Sequence, residues 1–182
     1  SITDIIIRHV RVRPDNLDGS QGDAMQFSLN KRVILDHVSV AWGADETIDM
    51  YEAEDVTVQW CTIEESDTEG HPEGSHNYGF INGPDGKNVS IHHTLFAHHR
   101  HRSPAIANGP SDVRNNVVYD FRQGFHHDNP TNGVAINVVG NYYKRGPSST
   151  PVCFNLESNG KYYFKDNFEH GAGMIQNPCA NQ

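Results

Sequence analysis

The sequence has little positive charge and no long apolar segment. Of its 182 residues, 14 are lysine or arginine and 23 are aspartate or glutamate, which gives a formal net charge of -9. Because an extended nucleic-acid interface needs a basic surface, this balance argues against a nucleic-acid partner. No run approaches the roughly 18 apolar residues of a membrane helix, and the mean hydropathy is -0.64. The composition therefore predicts a soluble protein with no membrane partner.

Cysteine is also scarce. Cys61, Cys153 and Cys179 are too few for a disulfide framework, and their spacing does not match a zinc site. Cys61 lies in an apolar strand pattern, which predicts a buried thiol. Cys153 and Cys179 are either paired, as an oxidising compartment would permit, or free, and the sequence leaves both states open.

Helical periodicity is missing, and a short β-repeat takes its place. Apolar and polar residues alternate with period two in segments separated by Gly, Pro, Asn and Asp. The seven copies are IIIRHVRV from Ile5, VILDHVSV from Val33, VTVQWCTI from Val56, VSIHHTLF from Val89, SDVRNNVV from Ser111, INVVGNYY from Ile136 and KYYFKDNF from Lys161. Weaker strands follow five of them: AMQFS from Ala24, TIDMY from Thr47, YGFIN from Tyr78, GFHHD from Gly124 and VCFNL from Val152.

The spacing of the copies predicts the fold. A propeller blade needs about 40 residues and four strands, whereas a solenoid tolerates copies of unequal length because extra residues form loops. We therefore expect one all-β domain over residues 1–182, a single-stranded right-handed parallel β-helix of about seven coils. Asn116 and Asn141 occupy equivalent places in successive copies. They either form a stack of amides inside the corner or belong to ordinary turns.

Acidic residues recur beside the weaker strands and suggest a cation site. Asp23 precedes AMQFS, while Asp45 and Asp49 bracket the start of TIDMY. The three carboxylates can converge if Asp45 lies in the turn that Gly43 permits. Hard oxygen ligands without thiolates suit calcium better than zinc. Solvated turn aspartates are the alternative. Further along, VSIHHTLFAHHRHRSP predicts a strand that delivers the cationic Arg102 to the surface, which points to an anionic ligand.

These segments together resemble the pectate lyase family of calcium-dependent polysaccharide lyases. The resemblance runs collinearly from about Ile5 to Tyr143, through GDAM, VILDHVSVAWG, DETIDM, VTVQWC, HPEGSHNYG, VSIHHTLFAHHRHRSP and VRNNVVYDF. It implies cleavage of polygalacturonate by β-elimination, an acidic plant cell-wall polysaccharide (pectate or pectin) as the partner, and a secreted, extracellular enzyme. A polygalacturonase on the same fold would need paired acids in N-T-D, D-D and G-H-G segments, and these are absent from the sequence.

The resemblance also implies roles for particular residues. Arg102 falls on the position proposed as general base, although a guanidinium is normally protonated and a clamp on the uronate is the alternative role. The implied calcium ligands are Asp23, Asp45, Asp49 and Gln21, the last standing where a further aspartate is common. Expected substrate contacts are Arg100, His71, His76, His126 and His127.

Two departures from the family pattern weaken the expected grip on the substrate. Ala107 stands where a second arginine is usual, and Glu73 stands where related sequences often have lysine. The alternative function is therefore a non-catalytic carbohydrate-binding or structural β-helix derived from a lyase. Family members also carry a capping helix and further coils before the strand at Ile5. We expect this chain to be a fragment, to be capped by a partner, or to self-associate through an uncapped N-terminal coil.

Overall fold

The chain folds into stacked parallel sheets. The computed structural model describes residues 2–15, 22–131, 133–148 and 152–175. These ranges contain strands numbered β1 to β21 in chain order and no α-helix. No part of the described chain is therefore a helix capable of crossing a membrane.

Three sheets run along the molecule, and each coil contributes one strand to each of them except the last, which contributes β20 and β21 to the second sheet and, within the described residues, none to the third. The first sheet contains β1 (Thr3–Arg8), β4 (Lys31–Asp36), β7 (Glu54–Gln59), β10 (Lys87–His92), β13 (Ser111–Arg114), β16 (Ala135–Val139) and β19 (Lys161–Lys165). The second contains β2 (Arg11–Val12), β5 (Ser39–Ala41), β8 (Thr62–Glu64), β11 (Leu95–Ala97), β14 (Val117–Tyr119), β17 (Tyr142–Lys144), β20 (Asn167–Glu169) and β21 (Gly173–Ile175). The third contains β3 (Met25–Ser28), β6 (Glu46–Tyr51), β9 (Tyr78–Asn82), β12 (Ala105–Ile106), β15 (Gln123–His127) and β18 (Val152–Asn155).

This arrangement is the predicted parallel β-helix. Neighbouring strands in each sheet are parallel, and only β20 and β21 pair antiparallel among the described strands. The seven strands of the first sheet delimit about six turns rather than the seven coils that the repeats suggested. Strand β12 was missed in the sequence because its two residues carry no alternation to detect.

Each repeat copy bends into two strands instead of forming one. In the first six copies the bend falls at the fifth residue, which has a positive φ. These corner residues are His9, His37, Trp60, His93, Asn115 and Gly140. The bend of the last copy is at Asp166, because that copy begins one residue later than predicted: Tyr162, not Lys161, pairs with Ile136. Backbone bonds hold the left-handed corners; the His37 N–H donates to the Gln59 carbonyl at 3.2 Å.

The interior is built from the alternating apolar residues of the repeats. Leu35 pairs with Val58, Val58 with Ile91, and Ile91 with Val113, so one row of side chains fills the core along the axis. All four are at most 1% exposed. Burial of each such side chain contributes about 1.5 to 3 kcal/mol. The repeat therefore stabilises the solenoid coil by coil.

Inside the corner between the first two sheets, asparagines form the predicted amide stack. The Asn116 N–H donates to Asn141 Oδ1 at 3.0 Å, and the Asn141 N–H donates to Asn167 Oδ1 at 3.1 Å. Asn116 and Asn141 also donate their Nδ2 protons to the Ile91 and Val113 carbonyls, at 3.0 Å in both cases. The stack satisfies backbone groups that the bend would otherwise leave unpaired.

The cysteine prediction is confirmed where the structure describes it. Cys61 is 2% exposed, and burial raises the pKa of its thiol. Cys153 is 1% exposed, and burial raises the pKa of its thiol to about 12. Cys179 lies outside the described residues, so its pairing with Cys153 stays a prediction.

Candidate active site

The candidate site lies at the edge of the third sheet where chain segments enter β3, β6 and β12. Asp23 lies two residues before β3, and Asp45 immediately precedes β6. Gly43 makes this approach possible, because a Cβ there would lie 2.0 Å from the Glu46 carbonyl oxygen. The turn therefore brings Asp45 beside Asp23, the convergence that the sequence predicted for these two residues.

The carboxylates are crowded. One oxygen each from Asp23, Asp45 and Glu46 lies within 4.8 Å of the other two. Asp49 faces the same region from within β6 and accepts a hydrogen bond from Gln26 Nε2 at 3.3 Å. Gln21, the fourth predicted ligand, lies outside the described residues.

Crowding and burial shift the carboxyl pKa values upward. The pKa of Asp23 rises to about 7, first through burial and then through the negative charges of Asp49 and Asp45, while Arg102 opposes the rise. Burial also raises the pKa of Asp49, with a smaller contribution from Asp45. Like charges held together this way favour either protonation or a bound cation. The donors are all hard oxygens, which fit calcium.

Arg102 reaches the carboxylates from the turn before β12. Its backbone is left-handed, with φ of 65°, and its carbonyl accepts the Phe80 N–H at 2.8 Å. Gly79 leaves room for this turn, since a Cβ there would lie 2.4 Å from the Arg102 carbonyl oxygen. The guanidinium carbon lies 4.3 Å from the centre of the Tyr78 ring, and the group forms an ion pair with Glu46. Burial lowers the pKa of Arg102.

Two cavities compete as the place where a ligand would bind. The smaller, about 240 Å³, is lined by Tyr78, His101, Arg102, Gln123, His126, Asp128 and Asn155. The larger, about 660 Å³, lies beside the loops that follow the second sheet and includes Trp42, Glu65, His98, Arg100, Asp120 and Arg122. We assign the site to the smaller cavity, because Arg102 lines it and pairs with Glu46 of the carboxylate cluster.

His71 and His76 flank the cluster as the sequence suggested. Their Nε2 atoms lie 3.9 and 4.0 Å from the Asp45 carboxylate oxygens. His76 Nδ1 contacts the Gly74 carbonyl at 2.9 Å, and His71 Nδ1 accepts the Glu73 N–H at 3.2 Å. Both imidazoles therefore lie beside the carboxylate cluster in the loop that contains Glu73, with His71 buried and His76 partly exposed.

The other three predicted substrate contacts lie in three different places: the smaller cavity, the protein interior and the larger cavity. His126 lines the smaller cavity, and burial lowers its pKa. His127 was wrongly placed: it is completely buried, and its Nδ1 lies 2.6 Å from the Tyr162 hydroxyl, because it alternates with His126 across the strand. Arg100 lines the larger cavity instead.

Sequence reasoning missed Glu46 and the position of Tyr78. Glu46 shares its strand parity with Ile48 and Met50, both 0% exposed, so it is a charged residue at an inward position. Buried charges are paired, and that parity was the available signal for a partner. The Tyr78 ring lies against the Arg102 guanidinium, a contact that the sequence did not predict.

Curated relatives of the chain carry one description. A probable pectate lyase C of Aspergillus terreus is 34% identical over 165 residues, which cover 88% of this chain and 36% of that protein. The probable pectate lyases C of Neosartorya fischeri and Aspergillus fumigatus are both 32% identical, over 90% and 91% of this chain and 38% of each relative. This chain thus spans less than two-fifths of the length of these relatives.

No family model and no solved structure matches the chain. The similarity to the curated proteins nevertheless extends over about nine-tenths of it. The chain also has the parallel β-helix and, at the edge of the third sheet, the carboxylate cluster. The chain belongs to the pectate lyase family.

Proposed function

We propose that this chain cleaves pectate, or a related uronan, by calcium-assisted β-elimination. The observation that carries the proposal is the contact between a partly buried arginine and a group of carboxylates at one edge of the third sheet. The curated names of the relatives support the same reaction class. A plant cell-wall polysaccharide as substrate, and hence an extracellular location, are parts of the proposal.

Asp23, Asp45 and Asp49 would hold the calcium ion. The raised pKa values of Asp23 and Asp49 support this assignment, because a divalent cation would offset the repulsion that raises them. When bound, calcium supplies Lewis-acid stabilisation of the charge that develops on the uronate carboxylate. Gln21 would complete the site or leave it weaker than in relatives with an aspartate there.

Arg102 would act on the sugar in the smaller cavity. In the elimination, the proton at C5 leaves to a base, a double bond forms between C4 and C5, and the bond from C4 to O4 breaks. Arg102 can take that proton only as a neutral guanidine, and burial lowers its pKa in the required direction. Its ion pair with Glu46 favours the protonated form, in which Arg102 would bind the uronate carboxylate instead. Both roles place Arg102 against the reacting sugar.

The rim of the site would set substrate affinity. The Ala107 side chain is 3% exposed, so this position offers no cation to a bound chain. Glu73 adds a negative charge beside His71. We propose that His71, His76 and His126 take over part of the substrate contact at the rim and in the cavity, and that Arg100 contributes only through a chain long enough to reach the larger cavity.

A product assay tests the proposed function directly. The protein is incubated with polygalacturonate, with and without calcium, and the ultraviolet absorbance of unsaturated uronate is followed. We expect a rise that needs calcium and disappears with a chelator. The absence of a calcium-dependent product from pectate, pectin and alginate would contradict the lyase assignment.

The second candidate is a carbohydrate-binding β-helix that has lost the chemistry. Ala107 and Glu73 favour it, because both replace cations that would anchor a uronan. Calorimetric titration with oligogalacturonates separates the two functions. Binding without product in the absorbance assay identifies the binding protein, and binding with product identifies the enzyme.

A further inference from the structure

We infer that Glu46 is a positioning residue that fixes the Arg102 guanidinium against the smaller cavity. The inference rests on the proposed function and adds a residue to it that the family resemblance does not supply. Glu46 is 5% exposed, although it carries a carboxylate. A buried charge of this kind needs a partner, and Arg102 is that partner.

Glu46 joins the two halves of the site. Its side chain forms the ion pair with Arg102, and its backbone N–H donates to Asp23 Oδ1 at 3.0 Å. Its backbone is fixed in turn, since the Ala24 N–H donates to the Glu46 carbonyl at 3.2 Å. The close approach at Gly43 leaves this segment little freedom to move. One residue therefore sets the place of the guanidinium relative to the carboxylate cluster.

The pairing reaches across successive coils. Glu46 in β6 lies opposite Tyr78 in β9, and Tyr78 lies opposite His101. Arg102 extends over the Tyr78 ring toward Glu46. The guanidinium has five N–H donors in a rigid fork, so contact with a ring face and one carboxylate fixes its plane. Its remaining donors are left for a ligand in the cavity, which Arg102 lines.

Positioning explains this pair better than stability does. A buried ion pair adds little net stability compared with an apolar pair of the same shape. Small displacements of a group that acts on the substrate can slow catalysis about 100-fold. We therefore expect Glu46→Gln to fold, to keep KM within about threefold, and to lower kcat by about 10- to 100-fold. Glu46→Asp, which keeps the charge on a shorter side chain, should recover part of kcat.

Glu46 also stands close enough to Asp23 and Asp45 to be a cation ligand. Calcium affinity, measured by calorimetry, separates this role from positioning. Glu46→Gln should bind calcium within about fivefold of the unmodified protein, while Asp45→Asn should bind it more than about 10-fold more weakly. Loss of calcium affinity equal to that of Asp45→Asn would make Glu46 a ligand and overturn the inference.

NMR tests the pairing without any enzymatic activity. The guanidinium N–H signals of Arg102, identified by their absence in Arg102→Lys, should exchange slowly with water and collapse in Glu46→Gln. Glu65→Gln is the matched control, because Glu65 is an acid of a neighbouring coil that lines the other cavity; it should leave these signals and kcat unchanged. Fast exchange in the unmodified protein overturns the inference even if Glu46→Gln does not fold.

The outcomes separate this inference from the proposed function. If the Arg102 signals exchange slowly but no lyase product forms, the Glu46–Arg102 pairing is supported and the proposed reaction is contradicted. If the protein is active and Glu46→Gln has an unchanged kcat, the proposed reaction is supported and the positioning role of Glu46 is contradicted. Slower turnover together with collapsed Arg102 signals supports both.

Discussion

Two groups of polar side chains lie on this solenoid, an asparagine stack and a carboxylate group, and they differ in how their charges and hydrogen bonds are satisfied. At the corner between the first two sheets, Asn116 and Asn141 bond to each other and to backbone carbonyls of neighbouring coils. At the edge of the third sheet, Asp23, Asp45 and Asp49 repel one another. The asparagines come from successive coils about 4.8 Å apart, whereas Asp45 and Asp49 belong to one coil and Asp23 to the coil before it.

The difference lies in the chemistry of the side chains. An amide carries both donors and acceptors, so identical copies can satisfy each other along the axis. An ionised carboxylate only accepts, so copies placed together need a cation, a proton or an arginine. The asparagines therefore satisfy one another within the protein, whereas the carboxylate group has Arg102 paired with Glu46 and leaves Asp23 and Asp49 with raised pKa values that a proton or a cation would offset. That requirement is what locates the candidate site.

The largest expected effect comes from removing Arg102, the cation of the carboxylate group. Arg102→Ala should lower kcat/KM on polygalacturonate by about 1000-fold or more, because it removes the group proposed to contact the reacting sugar. The absorbance assay for unsaturated product measures this. Arg102→Lys separates the two roles. A lysine base should move the pH optimum toward lower pH, because its pKa is lower than that of arginine, whereas a lysine clamp should leave the optimum in place and lower activity.

Arg122→Ala is the matched control for Arg102. Arg122 lines the larger cavity and directly precedes β15, three strands from β6 in the third sheet, so its removal should change kcat/KM by less than about twofold. Equal losses in the two variants would show that general charge, rather than this position, determines activity. Full activity of Arg102→Ala would remove the residue from the mechanism.

The next largest effect is expected from disrupting the asparagine stack. Asn141→Ala should lower the free energy of unfolding by about 3 kcal/mol, because it removes the acceptor of the buried Asn116 N–H and a donor to the Val113 carbonyl. For a chain of this size, that corresponds to roughly 6 to 12 °C in Tm. Thermal unfolding followed by circular dichroism measures the change.

Asn137→Ala provides the control for that substitution. Asn137 lies on the adjacent strand β16 with its side chain exposed, and it should change Tm by about 1 °C or less. A Tm for Asn141→Ala equal to that of Asn137→Ala would mean that the amide stack is dispensable.

Most of the scaffold was predictable because every coil contains a copy of the repeat. The alternation that buries Leu35 and Val58 gave the stacking, and the equivalent places of Asn116 and Asn141 gave the amide stack. The bend within each copy was not predicted, since Trp60 is not a residue expected at positive φ, and histidine, although enriched there, adopts it only in a minority of cases. Contacts with neighbouring coils decide that conformation, and a single copy does not contain them.

The site was predictable in part. The convergence of Asp23 and Asp45 could be predicted because Gly43 indicates a tight turn. The partner of Arg102 could not, because Glu46 is 56 residues away and the pairing depends on how far each loop carries the chain. His127 failed for a simpler reason: β15 alternates, so only one of two adjacent histidines faces the cavity.

A smaller effect, of opposite sign to that of Asn141, is expected from Asp23→Asn. Since burial and neighbouring charges raise the pKa of Asp23 to about 7, the folded state holds a proton that the unfolded state releases above the ordinary aspartate pKa of 3.8. That contribution is fully present at low pH and is lost as the pH rises through about 7. At pH 8 without calcium, the variant should therefore be more stable than the unmodified protein, by about 1 kcal/mol because the carboxyl is partly solvated.

Calcium should reverse this order. The ion needs deprotonated ligands, so calcium affinity of the unmodified protein should fall as the pH drops from 8 to 6. Calcium should raise Tm of the unmodified protein and have little effect on Asp23→Asn. Asp166→Asn, an acidic residue at an exposed corner, should behave like the unmodified protein in both measurements. Equal calcium effects on Tm in all three proteins would contradict the assignment of Asp23 as a ligand.

The smallest effect is a gain at the rim of the carboxylate site. Glu73→Lys restores a cation beside His71 and should lower KM for polygalacturonate by about two- to fivefold while kcat stays the same, because an exposed ion pair contributes less than about 1 kcal/mol. Glu69→Lys makes the same change in charge in the same loop and is the control for nonspecific attraction. The advantage of Glu73→Lys over Glu69→Lys should persist in 0.2 M salt, since nonspecific attraction is screened over about 7 to 10 Å. Equal KM values for the two variants would mean that position 73 does not contact the substrate, and that the missing lysine has no counterpart in this loop.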